Sequence, residues 1–260
     1  MSVSWLWSDL PHSAHASAPV PPAWATEAHH QFVERLTSAS PYPCHFGVQA
    51  EKLGYHSFTA IDREPIRPAA KTLARTLQEY LERSQSGAKR QSLIVFMGPP
   101  GQDVSLQDDT AAFWAMLSTL SMHDPAPWPQ DCPRDTTDPD WQWCFAGQPW
   151  FVFAASPAHH ARPSRNVGGC LTLIFQTMRA FEGLITATNT WQSAKEKIRA
   201  RLELYDGMPI HPHLGDLTQP PSYRWRWAIL PDDQRTAPHD TCPYRAQPGS
   251  TTRRLPQNSS

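Results

Sequence analysis

Two histidines, two arginines and two serines gather in one segment, Ala155-Ser156-Pro157-Ala158-His159-His160-Ala161-Arg162-Pro163-Ser164-Arg165-Asn166. It follows the most apolar stretch of the chain, so its residues leave the core at a fixed edge. A histidine within reach of Arg162 and Arg165 supports two chemistries. The arginines can clamp an anionic ligand through charge-assisted, bidentate hydrogen bonds. Alternatively, the His159 imidazole can ligate a heme iron while the arginines pair with the two propionates and the ring lies against Trp, Phe and Leu. A solvated surface turn is the third reading, and residue types alone leave all three open.

Cys44 is the second candidate. It stands after Pro43 and before a short expected helix, and a helix N-terminus lowers a thiol's pKa and favours thiolate. A thiolate axial ligand pushes electron density onto iron and assists O–O cleavage, which suits oxygenation of an unreactive nitrogen. A free cysteine is equally at home as a small buried hydrophobe. Asp108, Asp109 and Glu182 are the acids nearest to apolar segments, with solvated helix faces as the plainer account of them.

Other patterns fail on chemistry. Gly98-Pro99-Pro100-Gly101 follows a strand but lacks the Lys-Ser/Thr of a phosphate loop, and its prolines remove N–H donors. His211-Pro212-His213 has only Asp216 nearby as a further ligand, too few for a metal site at any recognisable spacing. No Gly-x-Ser-x-Gly elbow is present, and Ser156-Pro157 lacks flanking glycines. The five cysteines include no CxxC pair, so neither a disulfide framework nor a zinc ribbon is indicated.

Composition bounds the rest. The chain of 260 residues is 40% hydrophobic with a net charge of −1, a folded protein without the clustered basic face of a nucleic-acid binder. The 27 prolines against 12 glycines predict long, stiff connections. Eleven tryptophans, several near one apolar segment, fill the core or wall a flat ligand. No signal peptide or membrane-spanning run is read, which points to a reducing cytoplasm.

The elements that must position these residues follow from periodicity. Residues 1–25 read as a flexible arm and 246–260 as a disordered tail. Helices are expected from Thr26 through Leu36, over 45–52 with Gly54 as a left-handed cap, and over 68–83, 108–120, 181–187 and 191–205. Strands are expected at 55–61, 93–97, 143–146, 150–155, 171–175 and 225–230. Helices and strands alternate without a strict βαβ rhythm. The fold expected is therefore α+β: one domain over 26–245 with a mixed, mostly antiparallel sheet, flanking helices and Pro-rich loops.

Tyr42-Pro43-Cys44, Trp128-Pro129, Trp141 to Phe145 with Gly147-Gln148-Pro149, and Ser156-Pro157-Ala158-His159 continuing into Arg162-Pro163-Ser164-Arg165 resemble the YqcI/YcgG family. So do Pro209-Ile210-His211-Pro212 and Cys242-Pro243-Tyr244. The matches span most of the expected domain. The resemblance implies a heme b enzyme akin to the family's guanidino N-hydroxylases of natural-product pathways such as that to D-cycloserine. It further implies L-arginine as substrate, Nω-hydroxy-L-arginine as product, O₂ or peroxide as oxidant, and a reductase as electron source. His159 is then the axial ligand with Cys44 as competitor, Arg162 and Arg165 bind propionates, and His160 is a distal catalytic group. Asp109 and Glu182 are the acids assigned to substrate. A heme sensor or carrier without oxygenation, and an anion-binding protein without heme, are the rival readings.

Overall fold

The computed structural model describes residues 7–8, 20–40, 42–99, 103–183, 188–214, 223–234 and 241–245. In chain order the elements are β1 (Trp7–Ser8), α1 (Ala23–Thr37), α2 (His45–Lys52), β2 (His56–Asp62), α3 (Ile66–Ser84), β3 (Ser92–Gly98) and α4 (Leu106–Leu120). They continue with β4 (Cys144–Phe145), β5 (Gln148–Ala155), β6 (Leu171–Thr177) and α5 (Thr188–Asp206). The strands form one sheet in the order β1-β2-β3-β6-β5-β4. Only β2 and β3 run parallel; every other neighbouring pair is antiparallel. The α+β expectation stands.

That parallel pair explains α3. Two parallel strands need a crossover, and a helix with one apolar face supplies it while covering the sheet. Leu73, Leu77 and Tyr80 of α3 are buried together with Phe113, Leu117 and Leu120 of α4. β3 serves both faces: Leu93, Val95 and Met97 join this cluster, while Ile94 and Phe96 join a second one with Ala28 and Phe32 of α1. The period-2 alternation of a strand thus gives two cores, and a strand buried on both sides reads as one apolar run.

Several local expectations change in detail. The first helix starts at Ala23 with Pro22 as its cap, and Thr26 lies inside it. Proline suits that place because helix-start N–H groups lack intrahelical acceptors anyway. The expected flexible arm contains β1, paired antiparallel with β2. The expected helix over 181–187 is replaced at its start by a tight 3-10 turn, Met178–Phe181, and 184–187 lie outside the described residues. The tail at 246–260 also lies outside them.

The strand expected at 225–230 is instead a 3-10 turn over Arg224–Trp227. A short aromatic run does not by itself distinguish strand from turn. The segment still meets the sheet at one point, where the Ala154 N–H donates to the Ala228 carbonyl at 2.6 Å. Asp108 is spent locally: with Ser105 it forms the capping box of α4. Among the described residues no helix is long and apolar enough to cross a membrane.

Gly98 ends β3 directly under α1. A Cβ there would lie 2.7 and 2.8 Å from ring atoms of Trp24. Gly98→Ala is expected to cost about 1–3 kcal/mol of stability through this overlap. Urea denaturation checks it, and a Trp24→Leu background, which vacates the space, should absorb most of the loss.

Candidate active site

The segment singled out in the sequence is a closed loop whose polar backbone is satisfied by carboxylates from elsewhere. Ser156 N–H donates to the Arg165 carbonyl at 2.9 Å, closing the loop across its base. The Ser156 hydroxyl donates to Asp109, which also accepts from Arg63. Asp109 is 1% exposed. The acid assigned to substrate is therefore engaged in tying α4 and the end of β2 to this loop. Asp232 accepts the N–H groups of His160, Ala161 and Arg162 at 2.9–3.0 Å. Asp206, the last residue of α5, accepts from the Ser164 N–H and hydroxyl, both at 2.8 Å.

His159 is buried in this arrangement. Its Nε2 lies 2.9 Å from the Leu230 carbonyl and its Nδ1 3.3 Å from the Ser156 carbonyl. Burial lowers its pKa, against the pull of the Leu230 carbonyl. A neutral ring donates from one nitrogen only, and here both face backbone oxygens. His159 lines neither of the apolar cavities described below. The exposed His160 contributes its backbone to Asp232 and is likewise absent from those linings. Arg162 is 2% exposed and has its Nη1 3.9 Å from Asp206, with Nε and Nη2 lacking hydrogen-bond acceptors. Glu182 is a surface residue paired with Lys89 at 3.2 Å.

Arg165 leaves this cluster and lines a cavity of about 320 Å³, its guanidinium carbon 5.6 Å from the Phe153 ring centre. Cys44 lines the same cavity as the cap residue of α2. Burial pushes the Cys44 thiol's pKa up, against the lowering expected at a helix start, and the nearby Phe46 and Gly47 backbone and the Arg165 charge oppose the rise only in part. Tyr42, two residues earlier, donates its hydroxyl to the Ser164 carbonyl at 2.7 Å. The loop and the cysteine are thereby fixed to one another. Arg90 lines the wall as well, 4.9 Å from the Phe46 ring centre.

A second cavity, about 300 Å³, adjoins the first. The two share Phe151, Phe181, Ile198, Leu202, Leu214 and Trp227 as lining residues. Its far wall carries Trp114, Trp141, Trp143, Trp150 and Trp225. Both volumes fall at the lower end of the roughly 300–1,000 Å³ of small-molecule sites. Among the described residues no Asp or Glu lines either cavity.

Of the residues expected to act, the structure brings Cys44 and Arg165 together in one cavity and keeps His159, Arg162, Asp109 and Glu182 out of it. Sequence reasoning missed Tyr42, Arg90 and the α5 residues Ile198 and Leu202. Tyr42 and Cys44 shared a visible signal, their adjacency to a helix start. Arg90 carried none, since a lone arginine before a strand is an ordinary surface residue. Among the described residues no group of three or more His, Cys, Asp or Glu converges to hold a bare metal ion. A single buried thiol can furnish one axial ligand to a metal that brings its other donors with it.

Comparison with known proteins adds a family. The model of the YqcI/YcgG family matches residues 30–245. Two Bacillus subtilis proteins, YqcI and YcgG, both described as uncharacterized, are 35% and 33% identical over 228 and 230 residues. Each alignment covers 86% of this chain and 88% of the relative. A Streptomyces lavendulae protein, DcsA, provisionally named an N(omega)-hydroxy-L-arginine synthase, is 28% identical over 229 residues, 85% of this chain and 84% of its own. No solved structure matches the chain significantly.

Two outcomes test the site's construction. Asp232→Ala strips three backbone donors of a charged acceptor and is expected to cost about 2–3 kcal/mol in urea denaturation. Buried thiols set the alkaline limit: burial raises Cys44, lifts Cys170 to about 12 and Cys242 to about 11. The folded chain then holds protons that the unfolded chain releases, so stability falls as pH rises above the ordinary thiol value of about 8.5. The urea midpoint should drop between pH 7 and pH 10, and Cys170→Ala should flatten that slope.

Proposed function

The chain belongs to the YqcI/YcgG family, and from that premise we propose that it is a heme-dependent oxygenase hydroxylating a guanidino nitrogen. L-arginine is the proposed substrate and Nω-hydroxy-L-arginine the product. The observation that carries this reading is the Cys44 cavity: a free thiol at a helix start, aromatic walls, and two arginines with no carboxylate in the described lining. That donor set suits heme b. Cys44 would hold the iron, Arg165 and Arg90 would pair with the propionates, and Phe151, Phe153 and Ile174 would bound the ring. His159, with both nitrogens facing backbone carbonyls, serves the loop in this reading, and Arg162 serves Asp206.

When bound, heme supplies activation of O₂ or peroxide, helped by the electron push of a thiolate ligand. The chain's own residues do the rest. The Phe46 and Gly47 N–H groups stabilise negative charge on sulfur and moderate that push. The Tyr42–Ser164 bond fixes the thiol's depth relative to the loop. Apolar side chains from α5 cover the space and exclude water, which strengthens electrostatic contacts inside it. Hydroxylation by O₂ consumes two electrons and two protons and releases one water per turnover, so a reductase is implied, whereas peroxide needs none. The provisional name of the DcsA relative supports the guanidino substrate. Free cysteines suit a cytoplasmic setting.

Titration with hemin is expected to give the protein a Soret band. The reduced CO complex should show the red-shifted band of thiolate ligation. Cys44→Ala should lose that band, and His159→Ala should keep it while unfolding at lower urea. Thiolate-type ligation surviving in Cys44→Ala would overturn the ligand assignment. A protein with no Soret band would remove the heme reading.

A further inference from the structure

The second cavity contains buried donors without acceptors. Trp143 and Trp150 each satisfy their indole N–H, on the Leu117 carbonyl at 3.3 Å and the Phe145 carbonyl at 2.9 Å. Trp141, 2% exposed, and Trp227 line the cavity, and their buried indole N–H groups have no acceptor. Buried polar groups are nearly always hydrogen-bonded, so an unpaired donor beside an empty volume marks where a ligand atom belongs.

The charges agree. Every charged side chain lining this cavity among the described residues is cationic: Lys195, Arg199 and Arg224. Arg199 is held in place by donating its Nη2 to the Leu214 carbonyl at 2.7 Å, which leaves other guanidinium N–H groups to spend. Arg224 is anchored at the rim by Asp140 at 2.9 Å. A guanidinium placed in this cavity would meet three cations and no lining acid, whereas the two arginines of the Cys44 cavity would be neutralised by the propionates in the proposed reading. A carboxylate would meet cations and an indole donor together.

Resting on the oxygenase reading, we propose that the second cavity receives the carboxylate end of the substrate, on Arg199 and the Trp141 N–H. The substrate's side chain then passes the shared wall of Phe151 and Trp227 toward the Cys44 cavity. The ligand class is an amino acid whose long side chain ends in the reacting nitrogen. Recognition of the fixed carboxylate sets the reach of that nitrogen, and aromatic faces rather than an acid line its path, where a cation is favoured over a π-system. Trp141 is a binding residue in this arrangement and touches no reacting atom.

Calorimetric titration of the full chain, with and without hemin, tests the inference using L-arginine, its decarboxylated analogue agmatine, its methyl ester, and 3-(indol-3-yl)propionate. L-Arginine is expected to bind at least tenfold more tightly than agmatine or the ester. Trp141→Phe keeps the ring and removes the donor; it should weaken L-arginine about three- to tenfold and leave agmatine unchanged, consistent with loss of one hydrogen bond. Agmatine binding as tightly as L-arginine, an equal loss of both in Trp141→Phe, or no binding by any probe would overturn it. Binding of the indole acid but not of L-arginine would uphold the carboxylate site and overturn the arginine reading. A carboxylate preference in a chain that takes up no hemin would uphold it while removing the heme reading.

Discussion

Three carboxylates hold the loop that leaves β5, and the rest of the site depends on them. Asp109 grips its start at Ser156, Asp232 takes three consecutive N–H groups, and Asp206 takes Ser164. An irregular loop has no ladder to satisfy its backbone, and a donor left unmet where the loop is buried, as at Arg162 and Ser164, costs about 1–3 kcal/mol. Supplying acids from α4, from the end of α5 and from the C-terminal segment satisfies those donors and joins distant parts of the chain. The Ser164 carbonyl then receives Tyr42, two residues from Cys44. The thiol, Arg165 and α5 acquire a common frame through this one loop.

The same use of acids explains the character of the cavities. Asp109, Asp206 and Asp232 are committed to backbone and side-chain donors, and the apolar volumes beside β5 have no lining acid among the described residues. The charged side chains that line both volumes are all cationic among the described residues. Such a space favours anionic ends and flat apolar bodies, the combination shared by a macrocycle with propionates and by an amino acid's carboxylate. Tryptophan does double duty: Trp143 and Trp150 complete the core with their N–H groups satisfied, while Trp141 and Trp227 line the cavity with theirs unpaired.

Much of the fold was legible in advance because local patterns agree with it. The unbroken apolar run from Leu93 to Met97 and the apolar stripe of α3 announced a strand and its covering helix, and Gly54 announced the end of α2 with a φ of +66°. The segment at 225–230 was misread because two tryptophans spaced by one residue fit a strand as well as a turn lining a cavity. Asp108 and Asp109 were indistinguishable in sequence; one caps its helix in solvent and the other is buried under Ser156.

By itself the sequence determined the order of elements, the α+β class, the family likeness, and the presence of a thiol at a helix start and of an arginine-bearing loop. Those features are written in nearest-neighbour spacing and in short runs. Only the tertiary structure decided which candidates share a cavity. His159 and Arg165 lie six positions apart, yet one turns to the Leu230 carbonyl and the other to the cavity of Cys44. The direction of a side chain leaving an irregular loop depends on which distant carboxylate or carbonyl satisfies the backbone around it. No local period encodes that choice.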